Sequence, residues 1–365
     1  MPKAGAPEPP ASILVRAPNW TGDVIMASPG FRAVREGFPD ARIVLQIRAA
    51  LRDLVAGAPW FDDIVPVTSH RRGPFAQWRE ARALRAHGPF DLGICLPDSF
   101  AAAFVMRLAG VRRLVGYRRG WRRWLLDRAV PLPSGAGKRV LLARERHVLG
   151  LVEAAGAPAA GTWLELHTTP EETRLAHHAL AERGVAPDRP YAVLAPGASF
   201  GPSKCWPVAS FARVGDALVR AGVQVVVIGT PDERRLTAAV GAEMEEPAAD
   251  LGGAFGLGAL KAAMAGARVL VCNDAGARHV AVAFGVPCVV MMGPTALEKT
   301  NMNLEHVSVL TADVACRPCY RRVCPIDHRC MTRIPAEVVA EEAARALAAG
   351  REFVGVEQEL PGGGG

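Results

Sequence analysis

The sequence contains no apolar run long enough to cross a membrane. Its longest uncharged apolar stretch, from Val280 to Gly293, is interrupted by Gly285 and Pro287. A membrane-spanning helix needs about 20 consecutive apolar residues, which excludes this stretch. The first residues, MPKAGAPEPPAS, also lack the apolar segment of a secretory signal peptide. We therefore expect a cytosolic protein, which can still lie on the surface of a membrane.

Aromatic residues are scarce, at 6% of the 365 residues, whereas hydrophobic residues make up half of the chain. This composition is typical of a soluble globular protein, and the length is comfortable for two domains. The formal net charge is +7. A positive balance favours an anionic partner, which can be nucleic acid, acidic lipid or a phosphorylated substrate.

Short apolar runs alternate with helical patterns in the first half of the chain. This alternation predicts a parallel sheet that is covered by helices on both faces. The predicted strands are 13–15, 43–47, 64–67, 92–96 and 114–115, and the predicted helices are 24–35, 76–86 and 99–109.

The pattern is interrupted and then begins again. Stretches rich in Pro, Gly and Ala, GAPAAGTW at 156–163 and APDRP at 186–190, flank one predicted helix over 170–183. After them we predict strands at 191–195, 223–228, 269–272 and 288–292, helices at 208–221, 232–240, 257–265 and 276–284, and a last helix over 335–349.

The chain is therefore predicted to form two doubly wound α/β domains. The predicted boundaries are a first domain over 1–165, a connecting segment with its helix over 166–189, a second domain over 190–334, a closing helical segment over 335–351 and a disordered tail over 352–365. Ligands of such sheets bind beyond the carboxyl ends of the strands. With two such domains, we expect the site in the cleft between them.

The first strand is followed by NWTGDVIMASP, a turn that leads into a helix. A turn of this kind usually receives a phosphate, which backbone N–H groups bind. Here the turn carries a carboxylate, Asp23. An anion at this position indicates a role other than phosphate binding.

A loop of small residues follows the predicted strand 191–195. It reads PGASFGPSKCWP and contains one lysine, Lys204, before Trp206 and Pro207 begin a helix. Small residues let backbone N–H groups approach a phosphate, and a lysine adds positive charge. The spacing is not that of a P-loop. The alternative is an ordinary loop with a solvated lysine.

The end of the next predicted strand, in GTPDE, places Asp232 and Glu233 together. A carboxylate at this position can accept hydrogen bonds from ribose hydroxyls. The alternative is that Asp232 caps the following helix.

The stretch VLVCNDAGARHVA delivers Asp274 from a strand, and Ala275 and Gly276 then open a helix. The free N–H groups of the first helical turn can seat a diphosphate. His279 lies about one turn further on, on the same side. The alternative treats Asp274 as a helix cap and His279 as a surface histidine.

Taken together, these stretches resemble the bacterial heptosyltransferases of glycosyltransferase family 9, most closely the heptosyltransferase II branch. Members of this family transfer heptose from ADP-heptose onto the inner core of lipopolysaccharide. The resemblance extends in family order over roughly residues 12–345 and rests on NWTGDVIMASP, LPDSFAAAFVMRLAGVRRLVGYR, PGASFGPSKCWP, GTPDE, CNDAGARHVAVAFGVPCVVMMGPT and CRPCYRRVCPIDHRCM. It implies a GT-B fold, in which two Rossmann-like domains face a central cleft, an inverting mechanism and no catalytic metal or cofactor.

The resemblance implies that Asp23 is the catalytic base. The nucleotide binds the second domain in this family, so the first turn has no phosphate to hold. A base there can take the proton of the acceptor hydroxyl as this attacks the anomeric carbon. Asn19 and Trp20, which precede Asp23, are expected on the acceptor and membrane side.

The resemblance also implies which residues of the second domain form the donor site. Ser199 and Lys204 would contact the diphosphate, and Lys204 would also offset the charge on the departing ADP. Asp232 or Glu233 would lie near the ribose, and Asp274, Ala275, Gly276 and His279 would surround the leaving phosphate. The chain departs from the family at Ala275, where Ser or Thr is usual. One hydroxyl contact to the diphosphate is therefore missing, which bears on the affinity and identity of the donor.

An arginine-rich run over 107–128, RLAGVRRLVGYRRGWRRWLLDR, contains eight arginines and three aromatic residues. We interpret its arginines, represented by Arg118, Arg119, Arg122 and Arg123, as a surface for the phosphorylated acceptor and the anionic inner membrane. The alternatives are a solvated charged face and a site for single-stranded nucleic acid.

Cys316, Cys319, Cys324 and Cys330 lie within 15 residues, with His328 between them. This density is typical of a metal site in a reducing compartment, and we consider a structural Zn or Fe ion there. The spacing is not that of paired CxxC knuckles, and reduced thiols without a metal or disulfides are the alternatives.

Three other functions compete with heptose transfer. The first is a GT-B transferase that uses another nucleotide sugar, and the second is a nucleic-acid-binding protein built on the cysteines and the arginine run. The third is an oxidoreductase, suggested by GGAFGLG at 252–258, but the glycine spacing is wrong and no clear strand precedes it. The predicted partners are ADP-heptose, a lipopolysaccharide acceptor and the cytoplasmic face of the inner membrane, without nucleic acid.

Overall fold

The computed structural model describes residues 8–67, 73–132, 142–158 and 161–361, together with the backbone of 134–135 and 138–139. Two predicted features lie partly outside these ranges, at 159–160 in the Pro/Gly/Ala-rich stretch and at 362–365 in the tail. The chain divides into two compact units, residues 1–163 and 164–365. The predicted connecting helix belongs to the second unit.

Unit 1 is built on a six-stranded parallel sheet with strand order β3-β2-β1-β4-β5-β6. Its strands are β1 (Ser12–Arg16), β2 (Arg42–Arg48), β3 (Asp63–Val67), β4 (Leu92–Cys95), β5 (Arg113–Tyr117) and β6 (Arg128–Val130), and a separate antiparallel pair is formed by β7 (Ser134–Gly135) and β8 (Lys138–Arg139). Its helices are α1 (Thr21–Ile25), α2 (Ser28–Gly37), α3 (Pro74–Arg85), α4 (Phe100–Leu108) and α5 (Arg144–Ala155), with short 3-10 turns at Ala49–Leu54 and Gly120–Leu125.

Unit 2 is built on a seven-stranded parallel sheet with strand order β11-β10-β9-β12-β13-β14-β15. Its strands are β9 (Tyr191–Ala195), β10 (Gln224–Gly229), β11 (Ala249–Gly252), β12 (Val269–Asn273), β13 (Cys288–Met291), β14 (Val307–Ala312) and β15 (Glu357–Leu360). Its helices are α6 (Pro170–Glu182), α7 (Val208–Arg220), α8 (Arg234–Glu243), α9 (Leu257–Ala265), α10 (Gly276–Ala283), α11 (Arg329–Thr332) and α12 (Ala336–Ala349), and 3-10 turns lie at Pro202–Lys204, Pro231–Glu233, Leu297–Lys299 and Gly350–Glu352.

Central strands of both sheets carry continuous apolar runs. All residues of 13–15 in β1 and of 269–272 in β12 are fully buried. A strand that is covered on both faces cannot alternate apolar and polar residues, so it reads as a continuous apolar run. The prediction of two doubly wound α/β units is therefore confirmed.

The structure corrects the predicted helix over 24–35. The helix is interrupted at Met26–Ala27, so that α1 ends at Ile25 and α2 begins at Ser28. Pro29 lies in the first turn of α2, where its missing N–H is not needed. Inside a continuous helix, its ring would clash with the carbonyl group four residues earlier.

The prediction of a disordered tail over 352–365 is wrong for residues 357–360. They form β15, which pairs in parallel with β14 through partners such as Val309–Glu357 and Ala312–Leu360. Phe353 and Leu360 are buried in the core of unit 2. Two apolar anchors therefore tie a polar segment to the sheet, and the glycines that follow mask this signal in the sequence.

The direction of the strand order reverses beside the first strand of each sheet. In unit 1 the reversal lies between β1 and β4, and in unit 2 between β9 and β12. Loops that leave such a point diverge to opposite faces of the sheet and leave room for a ligand at the carboxyl ends of the strands. We call these two places the unit 1 edge and the unit 2 edge.

Candidate functional site

A buried cluster of charges occupies the unit 2 edge. The Asp274 carboxylate, directly after β12, accepts hydrogen bonds through Oδ2 from Lys204 Nζ at 2.5 Å and from Thr295 Oγ1 at 2.9 Å. Its Oδ1 lies 3.6 Å from Nη1 of Arg278, a buried residue of α10. Burial alone would raise the pKa of Asp274, but the charges of Lys204 and Arg278 outweigh it and lower the pKa. Two cations surround one carboxylate, which leaves a positive surplus suited to an anion.

Lys204 reaches this cluster from the 3-10 turn after β9. Its Nζ also donates a hydrogen bond to the backbone carbonyl of Asp274 at 2.9 Å, and its side chain is only 12% exposed. The Phe200 ring lies beside it, with the centroid 5.2 Å from Nζ. The alternative of a solvated lysine is therefore wrong.

The N-terminus of α10 lies at the same place. Gly276 is the first residue of the helix, and Ala275 at the N-cap has no side-chain oxygen to accept a hydrogen bond from the first turn. Uncapped N–H groups at a helix N-terminus favour an anion. Ala275 therefore supplies no hydroxyl, and the backbone donors of the first turn remain in place.

His279 is buried in α10 and is not a surface histidine. Burial, and to a smaller extent the neighbouring Arg278 charge, lowers the pKa of His279 to about 3. The imidazole is therefore neutral at physiological pH. It can donate or accept a hydrogen bond, but it adds no charge to the cluster.

Asn273 joins the two loops that form this site. Its Oδ1 accepts a hydrogen bond from the backbone N–H of Trp206 at 3.0 Å, and its Nδ2 donates to the carbonyl of Pro196 at 2.7 Å. Asn273 is fully buried. The amide side chain therefore fixes both ends of the loop that carries Lys204.

The two carboxylates after β10 differ in their surroundings. Asp232 is exposed, whereas Glu233 is half-buried and accepts hydrogen bonds from the N–H and the hydroxyl of Thr230. A Cβ at Gly197 would lie 2.0 Å from the Glu233 carboxylate, so Glu233 contacts the loop that follows β9. Of the two carboxylates, Glu233 is therefore the one that forms a capping box with Thr230 and lies against the loop that carries Lys204. Ser199 is exposed in the same loop.

At the unit 1 edge, the Asp23 carboxylate forms a bidentate ion pair with Arg144. Nε of Arg144 lies 3.1 Å from Oδ1, and Nη2 lies 3.3 Å from Oδ2. Asp23 stands in the first turn of α1, and Arg144 is the first residue of α5. Trp20 and Asn19 are exposed just before α1. The ion pair leaves 21% of the Asp23 side chain accessible.

The arginine run divides into a buried and an exposed part. Arg118, Arg119 and Arg123 are exposed, whereas Arg122 is 1% exposed and donates a hydrogen bond to the carbonyl of Pro97. The assignment of Arg122 to the surface is therefore wrong. Its side chain turns inward beneath β5, where a Cβ at Gly116 would touch it.

Two tryptophans lie among the exposed arginines. Trp121 is 82% and Trp124 is 72% exposed, and the Arg123 guanidinium lies 4.3 Å from the Trp124 ring centroid. We call Arg118, Arg119, Trp121, Arg123 and Trp124 the Trp–Arg surface. Among the described residues, no helix is both long and apolar enough to cross a membrane.

The four clustered cysteines line one cavity of about 300 Å³, together with Ser203, Pro294 and His328. Cys316 and Cys319 are exposed and Cys330 is buried. Burial, and then the neighbouring thiols, raises the pKa of Cys330 to about 11. Within the part of the chain that the structure describes, no group of three or more His, Cys, Asp or Glu side chains is arranged to hold a metal ion. The metal hypothesis therefore gains no support from the side-chain geometry.

Sequence patterns did not indicate several residues of the candidate site. Arg144 and Arg278 looked like any other arginines of an arginine-rich chain, and Asn273 and Thr295 like ordinary strand-end residues. Only the spacing of four between Asp274 and Arg278 at a helix start could have indicated a pair on one face.

Comparisons with known proteins indicate the family of the chain and agree with its fold. The family model described as glycosyltransferase family 9 (heptosyltransferase) matches residues 77–329. Lipopolysaccharide heptosyltransferase 2 of Salmonella typhimurium is 28% identical over 79% of this chain and 84% of its own length. The structure of the Escherichia coli ADP-heptose lipopolysaccharide heptosyltransferase II is similar with a TM-score of 0.77 and 25% identity, over 92% of this chain and 98% of that one. A family 9 glycosyltransferase from Veillonella parvula gives a TM-score of 0.74 at 23% identity, over 82% and 85% of the two chains.

Proposed function

Since the chain belongs to glycosyltransferase family 9, we propose that it transfers heptose from ADP-heptose to the inner core of lipopolysaccharide, with inversion at the anomeric carbon. The observation that carries the proposal is the buried Lys204–Asp274–Arg278 cluster at the start of α10. The names of the heptosyltransferase 2 relatives support the donor sugar and the acceptor.

ADP binds at the unit 2 edge in this proposal. The diphosphate lies against the N–H groups of Gly276 and its neighbours and against Lys204, and the ribose lies near Glu233. An anion here meets two cations and a helix N-terminus, in a setting where charge-assisted hydrogen bonds are strong. As the bond to the sugar breaks, negative charge grows on the leaving phosphate, and Lys204 stabilises it.

Asp23 acts as the base in the first unit. The acceptor oxygen forms a bond to the anomeric carbon while the bond from that carbon to the phosphate oxygen breaks, and the hydroxyl proton passes to the Asp23 carboxylate. Each carboxylate oxygen has two lone-pair sites. Arg144 occupies one on each oxygen, which orients the group and leaves the other sites for the hydroxyl.

We assign the acceptor and the membrane to the side of the Trp–Arg surface. Exposed Trp rings beside Arg side chains suit the interface of an anionic bilayer, where the rings enter the headgroup layer and the guanidinium groups bind phosphates. The protein would then lie on the cytoplasmic face of the inner membrane without crossing it.

The transfer step needs no metal in this proposal. The proton goes to Asp23, and Lys204, Arg278 and the N–H groups of α10 face the charge of the leaving ADP. Turnover measured with and without a chelator should therefore be equal, and a loss that added Mg²⁺ restores would contradict this.

A donor screen tests the proposed function. Purified protein is titrated calorimetrically with ADP-heptose, ADP-glucose and UDP-glucose, and each donor is then incubated with an inner-core acceptor. We expect ADP-heptose to bind tightest and the acceptor to gain the mass of one heptose. Binding and transfer with another donor alone would favour the alternative of a different nucleotide-sugar transferase. The lack of a hydroxyl at Ala275 is consistent with that alternative.

A further inference from the structure

The segment that carries the four cysteines, residues 316–330, forms hydrogen bonds with Ser203, the residue before Lys204. Ser203 donates a hydrogen bond from its N–H to the carbonyl of Arg322 at 3.1 Å and another from its hydroxyl to the carbonyl of Arg321 at 2.5 Å. Its own carbonyl accepts a hydrogen bond from Nε2 of His328 at 2.7 Å. All three polar groups of Ser203 are thus bound by this one segment, and Ser203 is buried.

The backbones of the two segments also approach closely at Gly201. A Cβ at this position would lie 2.5 Å from the carbonyl oxygen of Arg322. Gly201 also has a φ of +147°, which L side chains rarely adopt. The contact is therefore built for a glycine and leaves the loop little freedom to shift.

Lys204 depends on this contact because its own turn is short. The 3-10 turn contains only three residues, and the Lys204 N–H bonds to the carbonyl of Gly201. A turn of this length has little stability of its own. Neighbours therefore fix the direction in which the Lys204 side chain leaves the backbone, with Asn273 acting at the ends of the loop and the cysteine segment acting at Ser203.

His328 is the side chain of the cysteine segment that makes this contact. It stands before α11 with a left-handed backbone, φ +60°, an uncommon conformation for a residue other than glycine. Because a carbonyl oxygen can only accept, Nε2 of His328 carries the hydrogen. The ring thereby links a constrained turn of the cysteine segment to the donor loop.

We propose that His328 is a positioning residue for Lys204, and that the cysteine segment serves heptose transfer by holding the donor loop through Ser203. This inference rests on the proposed role of Lys204 at the diphosphate. It gives the cysteine-rich stretch a role that requires no bound metal.

A double-mutant cycle tests the inference, with the Kd for ADP measured calorimetrically. His328→Leu removes the hydrogen bond and should raise the Kd about 3- to 10-fold, the range for one hydrogen bond. The KM for the donor should rise with it, whereas the KM for the acceptor should stay unchanged. In a Lys204→Ala background the same change should have almost no further effect, since both act through one side chain. His328→Gln keeps an N–H donor and should restore most of the affinity.

His306→Leu is the matched control. His306 also bonds a backbone carbonyl through a ring nitrogen, Nδ1 to Phe353 at 2.7 Å, but it precedes β14 at the opposite end of the strands. Its loss should lower the melting temperature and leave the Kd for ADP unchanged. If His328→Leu does not fold, Ser203→Ala enters the cycle in its place with the same expectation.

The outcomes separate the inference from the proposed function. If Lys204→Ala binds ADP like the parent, the proposed donor site is wrong. If Lys204→Ala weakens binding but His328→Leu does not, or if the two effects add fully, the positioning role of His328 is wrong. A His328→Gln variant as weak as His328→Leu would also overturn it.

Discussion

The two candidate edges hold their charged side chains in different ways. At the unit 2 edge, the side chains of Lys204, Asp274 and Arg278 are 12%, 9% and 1% exposed. At the unit 1 edge, those of Asp23 and Arg144 are 21% and 41% exposed. Buried charges joined by hydrogen bonds keep one arrangement, whereas accessible pairs exchange partners with water and ligands. The proposed donor site is thus set before a ligand arrives, and the proposed acceptor site is left adaptable.

The largest expected effect is a loss of turnover caused by a substitution at the unit 1 edge. Asp23→Asn keeps the shape of the side chain but cannot accept the proton, so turnover should fall by about 10²- to 10⁴-fold. The Kd for ADP should not change, because the proposed ADP site lies in unit 2. Initial rates and calorimetry measure both quantities. Asp40→Asn, a change at an exposed carboxylate of the same unit, is the control, and parental turnover in Asp23→Asn would exclude the base.

Lys204→Ala tests the unit 2 edge. The loss of a charged hydrogen bond to the diphosphate, worth about 1.5–3 kcal/mol, should weaken ADP binding on the order of 100-fold and slow transfer. Lys299→Ala, which removes an exposed lysine of the same unit, should leave both unchanged. An unaltered Kd and turnover in Lys204→Ala would show that the buried cluster is structural only.

Substitutions in the Trp–Arg surface should change the KM for the acceptor and leave donor binding unaffected. We expect the triple change of Arg118, Arg119 and Arg123 to Ser to raise the acceptor KM on the order of 100-fold, since each arginine near an anionic surface contributes about 1 kcal/mol. The Kd for ADP should stay constant. The effect should shrink with added salt, because screening acts within about 10 Å at 0.1 M. Arg122 is left in place because it is buried.

A charge-matched triple variant controls for net charge. Arg79, Arg82 and Arg112 are exposed arginines of the same unit, and their change to Ser should affect the acceptor KM little. Equal effects of the two triples would show that overall charge, not this surface, attracts the acceptor. Loss of tight binding to single-stranded DNA in the first triple would favour the nucleic-acid alternative.

The smallest expected effect concerns stability at acidic pH. The pKa of His279 is about 3 in the fold, against 6.5 for the unperturbed residue, so the folded state binds fewer protons. The contribution of neutral His279 is therefore fully present above pH 6.5 and is lost as pH falls from 6.5 toward 3. Burial disfavours its protonation most, the charges of Arg278 and Lys204 add to this effect, and Asp274 opposes it.

His279→Gln should flatten this decline. Between pH 6.5 and 5, the free energy of unfolding from urea titrations should fall less steeply than in the parent, by up to about 1.4 kcal/mol per pH unit. His178→Gln, at an exposed histidine of the same unit, should keep the parental slope. Identical slopes for His279→Gln and the parent would mean that His279 titrates normally.

Sequence patterns predicted the two sheets because buried parallel strands are continuous apolar runs. β14 and β15 were missed because polar residues interrupt or replace the apolar run, to different degrees. β14 contains Ser308 and Thr311, which weaken the apolar signal although all of its residues are buried. β15 is polar except for its last residue, Leu360, and it is held by Leu360 and by Phe353, which precedes the strand. Edge strands depend on such tertiary anchors, which local patterns do not record.

The residues of the candidate site could likewise be predicted only in part from local sequence patterns. Asp23, Lys204 and Asp274 lie in the segments that follow β1, β9 and β12, where the topology brings functional groups together, and the sequence indicated all three. Arg144 pairs with Asp23 across 121 residues of chain, and no local spacing marks such a pair. The inward turn of Arg122 likewise depends on the space that Gly116 leaves. Partners separated widely in the chain become visible only in the fold.

The place of β15 at the edge of its sheet also has a consequence for synthesis. Every strand of unit 1 lies before residue 164, so this unit can fold while the ribosome is still making unit 2. Unit 2 must wait, because β14 keeps an unpaired row of backbone N–H and C=O groups until residues 357–360 have emerged. An open strand edge pairs readily with other chains. During translation, the nascent protein is therefore most prone to aggregate in the interval between β14 and β15, when unit 2 is nearly complete.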